Sequence, residues 1–368
     1  MMAMKLFSIS RTILFLAVGL GNLTPLAAQN LLNAPECTTY DQEHHRYLVS
    51  CYGSGAIVQI DSTGQQSYFK SPSGNLLSNT ICGNTLYVSA INSVKAFDLD
   101  SGDEIWNLVI PGSHQLDGMT CDNSGFLYVA DFQYSGSNDQ IYKISLVDRI
   151  WSVFVAPGHG LCESPQDIIY DPDSNRLLVA CYYNAPIQAI DLADSAVSTV
   201  VVPPIGNFDG IARDNYGNYY LTSWTTNAVH RYGPDFSNPP EMLKNGLLGP
   251  ANLCFNPVDN ELAIPEFDGD SVVIIPVFPV LVQVKEKGNL EVFPNPCHGK
   301  FQVRLNSTDN GEVLVYLFSP EGKMIYMEKD RKADKVFTMN INVEDLSVSV
   351  FILNVMIGSN VYRKLIVK

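Results

Sequence analysis

The chain has 368 residues and a formal net charge of −15, with 23 Lys and Arg against 38 Asp and Glu. This length exceeds one ordinary domain unless that domain is a large all-β array. The acidic surplus is concentrated in residues 29–288, which argues against nucleic acid as a partner, because binding phosphates needs a clustered basic surface. Metal cations and neutral or cationic ligands fit this charge better.

The N-terminus has the pattern of a secretory signal peptide over residues 1–28. It contains a basic region with Lys5 and Arg11, the apolar run Thr12–Leu20 and a small-residue cleavage site at Leu26–Ala28. The run is too short and too interrupted by Gly to span a bilayer, and a retained membrane anchor is the alternative. We expect an exported mature protein without a transmembrane segment.

A repeated unit organises residues 29–279. The stretch QLDGMTCDNSGFLYVADF at Gln115–Phe132 returns as NFDGIARDNYGNYYLTSW at Asn207–Trp224, with an Asp-Gly that opens an apolar strand and a second Asp five residues later. Six copies align with a period of about 43 residues. The copies start at Ala34, Leu77, Gln115, Pro165, Asn207 and Pro250.

Each copy contains up to four short strands separated by turns, a pattern typical of a propeller blade. We therefore predict an all-β, six-bladed β-propeller whose entry strands line a central channel. The outer strand of the sixth blade has two candidates, Asn30–Asn33 and Val280–Val284, and both remain open. The second Asp of the copies is predicted to be a turn residue. This position holds Asp41, Asp122, Asp171 and Asp214.

The period ends after residue 279. Residues 280–289 are predicted to be a linker, and residues 290–368 contain alternating strands separated by Gly, Asn, Asp and Ser turns. About 79 residues of this kind predict a small C-terminal antiparallel β-sandwich as a separate domain.

The eight cysteines of an exported chain first suggest disulfides, but their positions argue against a disulfide framework. Cys51 and Cys181 occupy one position in two repeats, and Cys121 and Cys254 share another. Equivalent positions of separate repeats lie far apart around a ring, so we predict small buried core residues. A local pair between Cys37 and Cys51 remains open.

Two motifs in the repeats carry a family resemblance. They are Leu116-Asp117-Gly118-Met119 with Asp122 and Gly125, and Phe208-Asp209-Gly210-Ile211 with Asp214 and Gly217. Both resemble the Pro-Asp-Gly-hydrophobic-x-x-Asp-x-x-Gly consensus of the six-bladed NHL and gluconolactonase (senescence-marker-protein-like) propellers, with Leu or Phe in place of Pro. The resemblance extends over about 250 residues and implies the fold more strongly than an activity, since propellers host many functions.

The C-terminal domain contains a second set of motifs. They are Val292-Phe293-Pro294-Asn295-Pro296, Gly299, Phe301, Glu344-Asp345-Leu346-Ser347 and the terminal strand that ends in Lys364-Leu365-Ile366-Val367-Lys368. This set is similar to the sorting domain of type IX secretion substrates from the Bacteroidetes phylum, although Ser349-Val350-Phe351 replaces the usual Gly-x-Tyr. The resemblance implies the type IX secretion machinery as a partner, the cell surface or medium as the destination, and a domain that is an address, often removed afterwards.

Aligning the entry strands on the opening Asp gives one position per blade at one mouth of the predicted channel. The residues at this ring position are Glu36, Ser78, Asp117, Gln166, Asp209 and Ala251. Oxygen-bearing side chains that converge there could coordinate Ca²⁺ or another hard divalent cation. The alternative is structural, because an Asp at the start of an inner strand can join neighbouring blades by accepting backbone N–H bonds.

The resemblance to gluconolactonases implies a more specific site. Their metal ligands, carried over to this chain, become Glu36, Gln166 and Asp209, with Asp117 across the channel as a further candidate. In such enzymes the metal polarises a lactone carbonyl and a carboxylate handles the water proton, so Asp209, or else Asp117, is the candidate catalytic residue. Gln166 replaces an Asn of these enzymes, which moves its amide oxygen outward by one methylene.

Three residues near the same mouth are candidates for ligand binding. His114 and His159 lie in the loops before the third and fourth blades, and Trp224 follows a second strand. The alternative for each histidine is a surface residue without a ligand. Further aromatic residues after second strands could form a patch that stacks on a sugar. They are Tyr134, Tyr182 and Tyr183.

Two functions are compatible with these patterns. The first is an exported binding or scaffold propeller that holds a protein, peptide or glycan ligand on one face. The alternative is a divalent-metal-dependent, lactonase-like hydrolase of the gluconolactonase type. The sequence has no Gly-x-Ser-x-Gly elbow, phosphate loop, HExxH motif or dinucleotide fingerprint.

Overall fold

The computed structural model describes residues 29–133, 138–183, 186–277, 289–318, 324–344, 346, 348–357 and 360–368. All regular secondary structure in these residues is β-strand, which confirms the predicted all-β class. The chain divides into two compact units, one that ends at Pro276 and one that begins at Val277. The predicted signal peptide lies outside the described residues.

The first unit is a series of antiparallel sheets in which each strand pairs with the next strand along the chain. The first two sheets contain β1 (Pro35–Asp41), β2 (Arg46–Cys51), β3 (Ala56–Asp61) and β4 (Gln66–Lys70), then β5 (Asn79–Cys82), β6 (Thr85–Ala90), β7 (Ser93–Asp98) and β8 (Glu104–Val109). The next two contain β9 (Leu116–Cys121), β10 (Phe126–Asp131), β11 (Gln140–Ser145) and β12 (Trp151–Val155), then β13 (Pro165–Asp171), β14 (Arg176–Cys181), β15 (Ile187–Asp191) and β16 (Val197–Val201). The last two contain β17 (Phe208–Arg213), β18 (Tyr219–Ser223), β19 (Ala228–Tyr232) and β20 (Glu241–Asn245), then β21 (Cys254–Asn256), β22 (Glu261–Glu266) and β23 (Ser271–Pro276).

The first strands of these sheets, called here the inner strands, surround a central channel. A cavity of about 190 Å³ is lined by residues on or directly before β1, β5, β9, β13, β17 and β21. The last sheet is joined to the first by backbone hydrogen bonds: Thr38 N donates to Asn252 O at 3.0 Å, and Asn252 N donates to Glu36 O at 2.9 Å. This arrangement is of the β-propeller type.

Apolar side chains fill the space between consecutive sheets. Leu116, Leu127 and Val129 of the third sheet pack against Tyr87 and Val94 of the second, and all five are buried. The second strands are apolar on both faces because each sheet has a neighbour on both sides. Removing these surfaces from water is the main stabilising contribution, since no sheet can bury its faces alone.

The Asp-Gly pairs are explained by close approach of neighbouring inner strands. A Cβ atom added at Gly118 would lie 2.3 Å from the Cα of Asp167 in the next sheet. A Cβ atom added at Gly210 would lie 2.7 Å from the Cα of Asn252. Only glycine leaves room for these backbones to meet.

The second Asp of the repeats is a turn residue, as predicted. Asp122 Oδ1 accepts the backbone N–H groups of Ser124 and Phe126 at 2.8 and 3.0 Å. Asp214 Oδ1 accepts those of Tyr216 and Asn218 at 2.8 and 2.9 Å. Asp41 and Asp171 also accept N–H groups of their turns through Oδ1. Their Oδ2 atoms accept hydrogen bonds from the Nε atoms of Arg46 and Arg176, respectively, each at 2.9 Å.

The prediction of core cysteines without a disulfide framework is wrong for four of the eight. Cys82 pairs with Cys121, and Cys162 pairs with Cys181, each with 6.3 Å between Cα atoms. The assumption that equivalent positions lie far apart fails for adjacent inner strands, because Cys82 and Cys121 each lie four residues after the ring residue of their sheet, Ser78 and Asp117. The disulfide between Cys37 and Cys51 that the sequence left open is not formed. The free thiols are those of Cys37, Cys51, Cys254 and Cys297.

The sixth sheet has three strands among the described residues. Asn30–Asn33 is not a strand there. Asn30 Nδ2 instead donates to Asp270 O at 2.8 Å, and Ala34 N donates to Asp270 Oδ1 at 2.7 Å. The other candidate for the outer strand, Val280–Val284, lies outside the described residues.

The second unit contains two antiparallel sheets. One has the order β24–β25–β28, with β24 (Asn289–Phe293), β25 (Lys300–Asn306) and β28 (Val336–Asn342). The other has the order β27–β26–β29–β30, with β26 (Gly311–Phe318), β27 (Met324–Lys332), β29 (Val350–Ile357) and β30 (Asn360–Val367). Buried side chains of both sheets, among them Val303 and Leu317, form one shared apolar core.

Candidate functional site

The ring position is buried in every sheet of the first unit. Its residues have exposed fractions of 8% or less, and they lie at the start of the inner strands or up to three residues before them. The residues that line the central cavity follow them in sequence. The ring position therefore forms one end of the channel, called here the mouth.

Four carboxyl groups lie close together at the mouth. They are Glu36, Asp117 and Asp209, called here the ring carboxylates, and the adjacent Asp167. Burial raises the pKa of Glu36, and the charge of Asp209 raises it further. Burial likewise raises the pKa of Asp117, and the charges of the other three carboxylates add to this effect. The salt bridges of the described residues involve other carboxylates.

Asp209 is held by side chains of two sheets. Trp224 Nε1 donates to Asp209 Oδ2 at 2.8 Å. Asn252, with its amide nitrogen turned toward Asp209, donates to Oδ1 at 2.9 Å and to the Asp209 backbone oxygen at 3.1 Å. Burial raises the pKa of Asp209, while the Trp224 hydrogen bond acts in the opposite direction. Both carboxylate oxygens therefore already have donors from the protein.

Asp117 and Asp167 differ in their hydrogen bonds. Asp167 accepts the N–H groups of Ile168 and Ile211, each at 2.9 Å, and so joins the fourth sheet to the fifth. Burial raises the pKa of Asp167 to about 8 despite these bonds. Asp117 is 1% exposed, and its Oδ1 has no hydrogen-bond partner. A buried acceptor without a donor is costly, so this oxygen is where a ligand would be most stabilising.

The candidate metal ligands Glu36, Gln166 and Asp209 all lie at the mouth. In the described ranges, no three side chains among His, Cys, Asp and Glu converge closely enough to hold a metal ion. Asp209 already receives hydrogen bonds from Trp224 and Asn252. Glu36 and Gln166 are buried at the mouth with exposed fractions of 8% and 7%.

A second set of residues surrounds the mouth, one from each sheet directly after its second strand. This rim position holds Tyr52, Ile91, Phe132, Tyr182, Trp224 and Phe267. Except at Ile91, the rim N–H group donates at 2.8–3.1 Å to the carbonyl oxygen two residues before the ring position. These hydrogen bonds hold the five rim residues next to the segment that leads into the ring position.

Three rim residues form a continuous series of ring contacts across three sheets. The ring centroids of Tyr52 and Phe267 are 6.0 Å apart, and so are those of Phe267 and Trp224. All three side chains are partly exposed, and we call them the aromatic arc. The sequence pattern had identified Trp224 as a candidate but not its two partners, Tyr52 and Phe267. Aligning the residue after each second strand reveals five aromatic residues in six repeats.

The two candidate histidines do not contact the ring carboxylates. His114 N donates to Asp131 Oδ1 at 2.8 Å, and His114 Nδ1 lies 3.6 Å from Asp131 Oδ2. His159 is exposed in a turn, where its N–H donates to Ala156 O at 3.2 Å. Tyr134 lies outside the described residues.

The motif residues of the second unit meet around its last strand. Asn295 Nδ2 donates to Leu365 O, and Val367 N donates to Asn295 Oδ1, each at 2.9 Å. Lys368 Nζ donates to Glu344 O at 3.0 Å and to Leu346 O at 2.7 Å. Asn295 lies between Pro294 and Pro296, both of which follow cis peptide bonds.

Gly299 packs against the same group of motif residues. Its φ is +84°, and a Cβ atom there would lie 2.4 Å from Glu344 Cγ, so the position requires glycine. Val343 N donates to Gly299 O at 2.7 Å. Asp345 lies outside the described residues.

Residues 291–368 match the model of the secretion system C-terminal sorting domain. The chain therefore carries a type IX secretion sorting domain. This domain indicates export to the cell surface or the medium and an interaction with the type IX machinery. No helix in the described part of the chain is long and apolar enough to cross a membrane.

Solved structures similar to this chain are propellers with different activities. A gluconolactonase from Xanthomonas campestris is 13% identical with a TM-score of 0.56, covering 67% of this chain and 87% of its own. The calcium-binding regucalcin from Agrobacterium tumefaciens is 13% identical with a TM-score of 0.53, covering 64% and 83%. A chain of a nidogen/laminin complex is 14% identical with a TM-score of 0.52, covering 63% and 86%. No curated protein matches the sequence. At these identities the likeness establishes the fold alone.

Proposed function

We propose that the first unit is a closed six-bladed propeller over residues 29–279 and that a linker, residues 280–289, connects it to a small antiparallel sandwich over residues 290–368. The repeat of four-stranded sheets and the hydrogen bonds between Thr38, Asn252 and Glu36 support the closed ring. The shared core of the two C-terminal sheets supports the sandwich. Residues 1–28 are a signal peptide that starts export.

We propose that this exported propeller is a binding protein that holds a protein, peptide or glycan ligand at the mouth of its channel. The observation that carries this proposal is the state of Asp209. Both of its oxygens accept hydrogen bonds from Trp224 and Asn252, so the carboxylate is fixed as part of the mouth. Hydrogen bonds to both oxygens stabilise the ionised carboxylate and lower its basicity, which disfavours Asp209 as the base that takes a proton from water.

Metal analysis and a lactone assay on the mature chain test this proposal together. After equilibration with Ca²⁺ and dialysis, we expect no stoichiometric metal and no hydrolysis of glucono-δ-lactone above the rate without protein. Adding Mn²⁺ or Zn²⁺ should not change this result. Metal-dependent turnover that disappears in Asp209→Ala would contradict the binding proposal.

The metal-dependent, lactonase-like hydrolase is the second candidate, supported by one observation. Asp117 Oδ1 is buried without a partner, and a cation such as Ca²⁺ would satisfy it. This candidate requires Glu36, Gln166 and Asp209 to rearrange around one point. The decisive comparison is a Ca²⁺ titration of wild type and Asp117→Asn, since only a metal site of this kind predicts a Ca²⁺-induced rise in Tm that the variant lacks.

A further inference from the structure

The mouth combines several buried carboxyl groups with an absence of counter-charge. The ring carboxylates are 8% exposed or less, and none forms a salt bridge to a described Lys, Arg or His side chain. The Oδ1 atom of Asp117 has no hydrogen-bond donor at all. Burial keeps carboxyl groups without a counter-charge protonated, whereas a ligand that brings a positive charge and N–H donors would stabilise their ionised form.

The wall beside these carboxylates is aromatic. Trp224 of the aromatic arc donates directly to Asp209, and Phe267 and Tyr52 continue the arc toward the sheet that holds Glu36. The cation–π contacts of the described residues involve other rings, so the arc has no cation of the protein over it. Aromatic faces attract ammonium groups and contact the alkyl chain attached to them.

These features favour an organic cation over a metal ion. A hard divalent cation takes six or more oxygen ligands at about 2.3–2.6 Å, and the described residues contain no group of three His, Cys, Asp or Glu side chains that could hold one. An ammonium group on an alkyl chain is larger, has three N–H donors and matches both surfaces. The acidic chain, with net charge −15, attracts such cations over longer distances.

We propose that the mouth binds an alkylammonium group, with its N–H donors on the ring carboxylates and its alkyl chain against the aromatic arc. This inference rests on the proposed binding function and specifies its ligand chemistry. The group is supplied by a small amine or by a lysine side chain of a protein or peptide.

Calorimetric titration of the mature chain with matched probes tests the inference. n-Butylammonium chloride is compared with n-butanol, which has the same alkyl chain without the charge, at constant ionic strength. We expect one n-butylammonium per chain, bound about tenfold or more tighter than n-butanol. Nα-acetyl-lysine N-methylamide distinguishes the sources: tighter binding than n-butylammonium indicates a peptide lysine, and weaker binding indicates a free amine.

Two variants test the two surfaces. Asp117→Asn keeps the shape of the side chain and removes its charge, and should weaken n-butylammonium about tenfold or more. The control Asp61→Asn, in an exposed turn, should bind as wild type. Phe267→Leu removes an aromatic face and should weaken n-butylammonium about 3- to 10-fold. Its control is Phe154→Leu, on the outer strand β12, which should bind as wild type.

Equal affinity for n-butylammonium and n-butanol, or unchanged binding by Asp117→Asn, would overturn the inference. The two proposals fail in distinguishable ways. If the protein contains no metal, has no lactonase activity and does not bind n-butylammonium, only the proposed alkylammonium site is contradicted. Stoichiometric Ca²⁺ with metal-dependent lactone turnover contradicts the binding function as well.

Discussion

The missing side chain of Gly118 allows the third and fourth sheets to meet at the channel. Replacing it with Ala would place Cβ 2.3 Å from Asp167 Cα, which the backbone must move to avoid. We expect Gly118→Ala to lower the free energy of unfolding by about 1–3 kcal/mol. The three tryptophans all lie in the first unit, so urea unfolding followed by tryptophan fluorescence measures this unit.

Gly233→Ala is the matched control, because the nearest atom to a Cβ there is Asp235 Oδ1 at 3.9 Å. Its free energy of unfolding should stay close to that of wild type. Equal effects of the two substitutions would contradict the close approach.

The carboxyl groups of the mouth make stability depend on pH. Burial raises the pKa of Asp167 to about 8 and raises those of the ring carboxylates as well. Unfolded carboxyls titrate near pH 4, so between about pH 4 and pH 8 the folded state binds more protons than the unfolded state. The free energy of unfolding therefore falls as pH rises through this range. We expect a lower Tm at pH 8 than at pH 5.

Asp117→Asn removes one of these groups and relieves the repulsion on the others, so its Tm should fall less over the same range. The comparison separates this effect from His230, whose pKa is lowered by burial and which acts in the opposite direction. Asp61→Asn should keep the wild-type pH dependence. A wild-type-like fall in Asp117→Asn would show that the mouth does not control it.

The inner strands β5 and β9 are joined covalently as well as by packing. Cys82 and Cys121 are 39 residues apart in sequence, and removing the bond as Cys82→Ser/Cys121→Ser should cost about 2–4 kcal/mol. Cys162→Ser/Cys181→Ser, with a separation of 19 residues, should cost less in the chain-entropy model. Tryptophan fluorescence in urea measures both, and a peptide map without reductant tests the pairing. Free thiols at Cys82 and Cys121 would contradict it.

Strands and turns were predictable because their signals are local. The Asp of each turn, such as Asp122, binds N–H groups two and four residues ahead, so spacing alone identifies it. The ring position was found by alignment, since it recurs once per repeat. Contacts between side chains were not predictable in this way: Trp224 reaches Asp209 from the same repeat and Asn252 reaches it from the next repeat, whereas alignment compares equivalent residues rather than neighbours.

In the proposed function, the first unit binds the ligand and the second unit directs export. If residues 290–368 are the export address, removing them should retain the propeller inside the cell envelope. Fusing them behind a signal peptide and a neutral reporter should export the reporter. Immunoblots of cell and medium fractions from a type IX-competent host measure both. A host lacking the type IX machinery is the control, and export of the truncated chain would contradict the assignment.

The bonds between β1 and Asn252 set the order in which the first unit assembles. Thr38 and Asn252 are 214 residues apart, whereas each antiparallel sheet forms from strands adjacent in the chain. We therefore expect the local sheets to form early and ring closure, with its high contact order, to be the late and slow step. The sorting domain is synthesised after the closing strand. A nascent chain that displays its export address has thus already received every inner strand needed to close the ring.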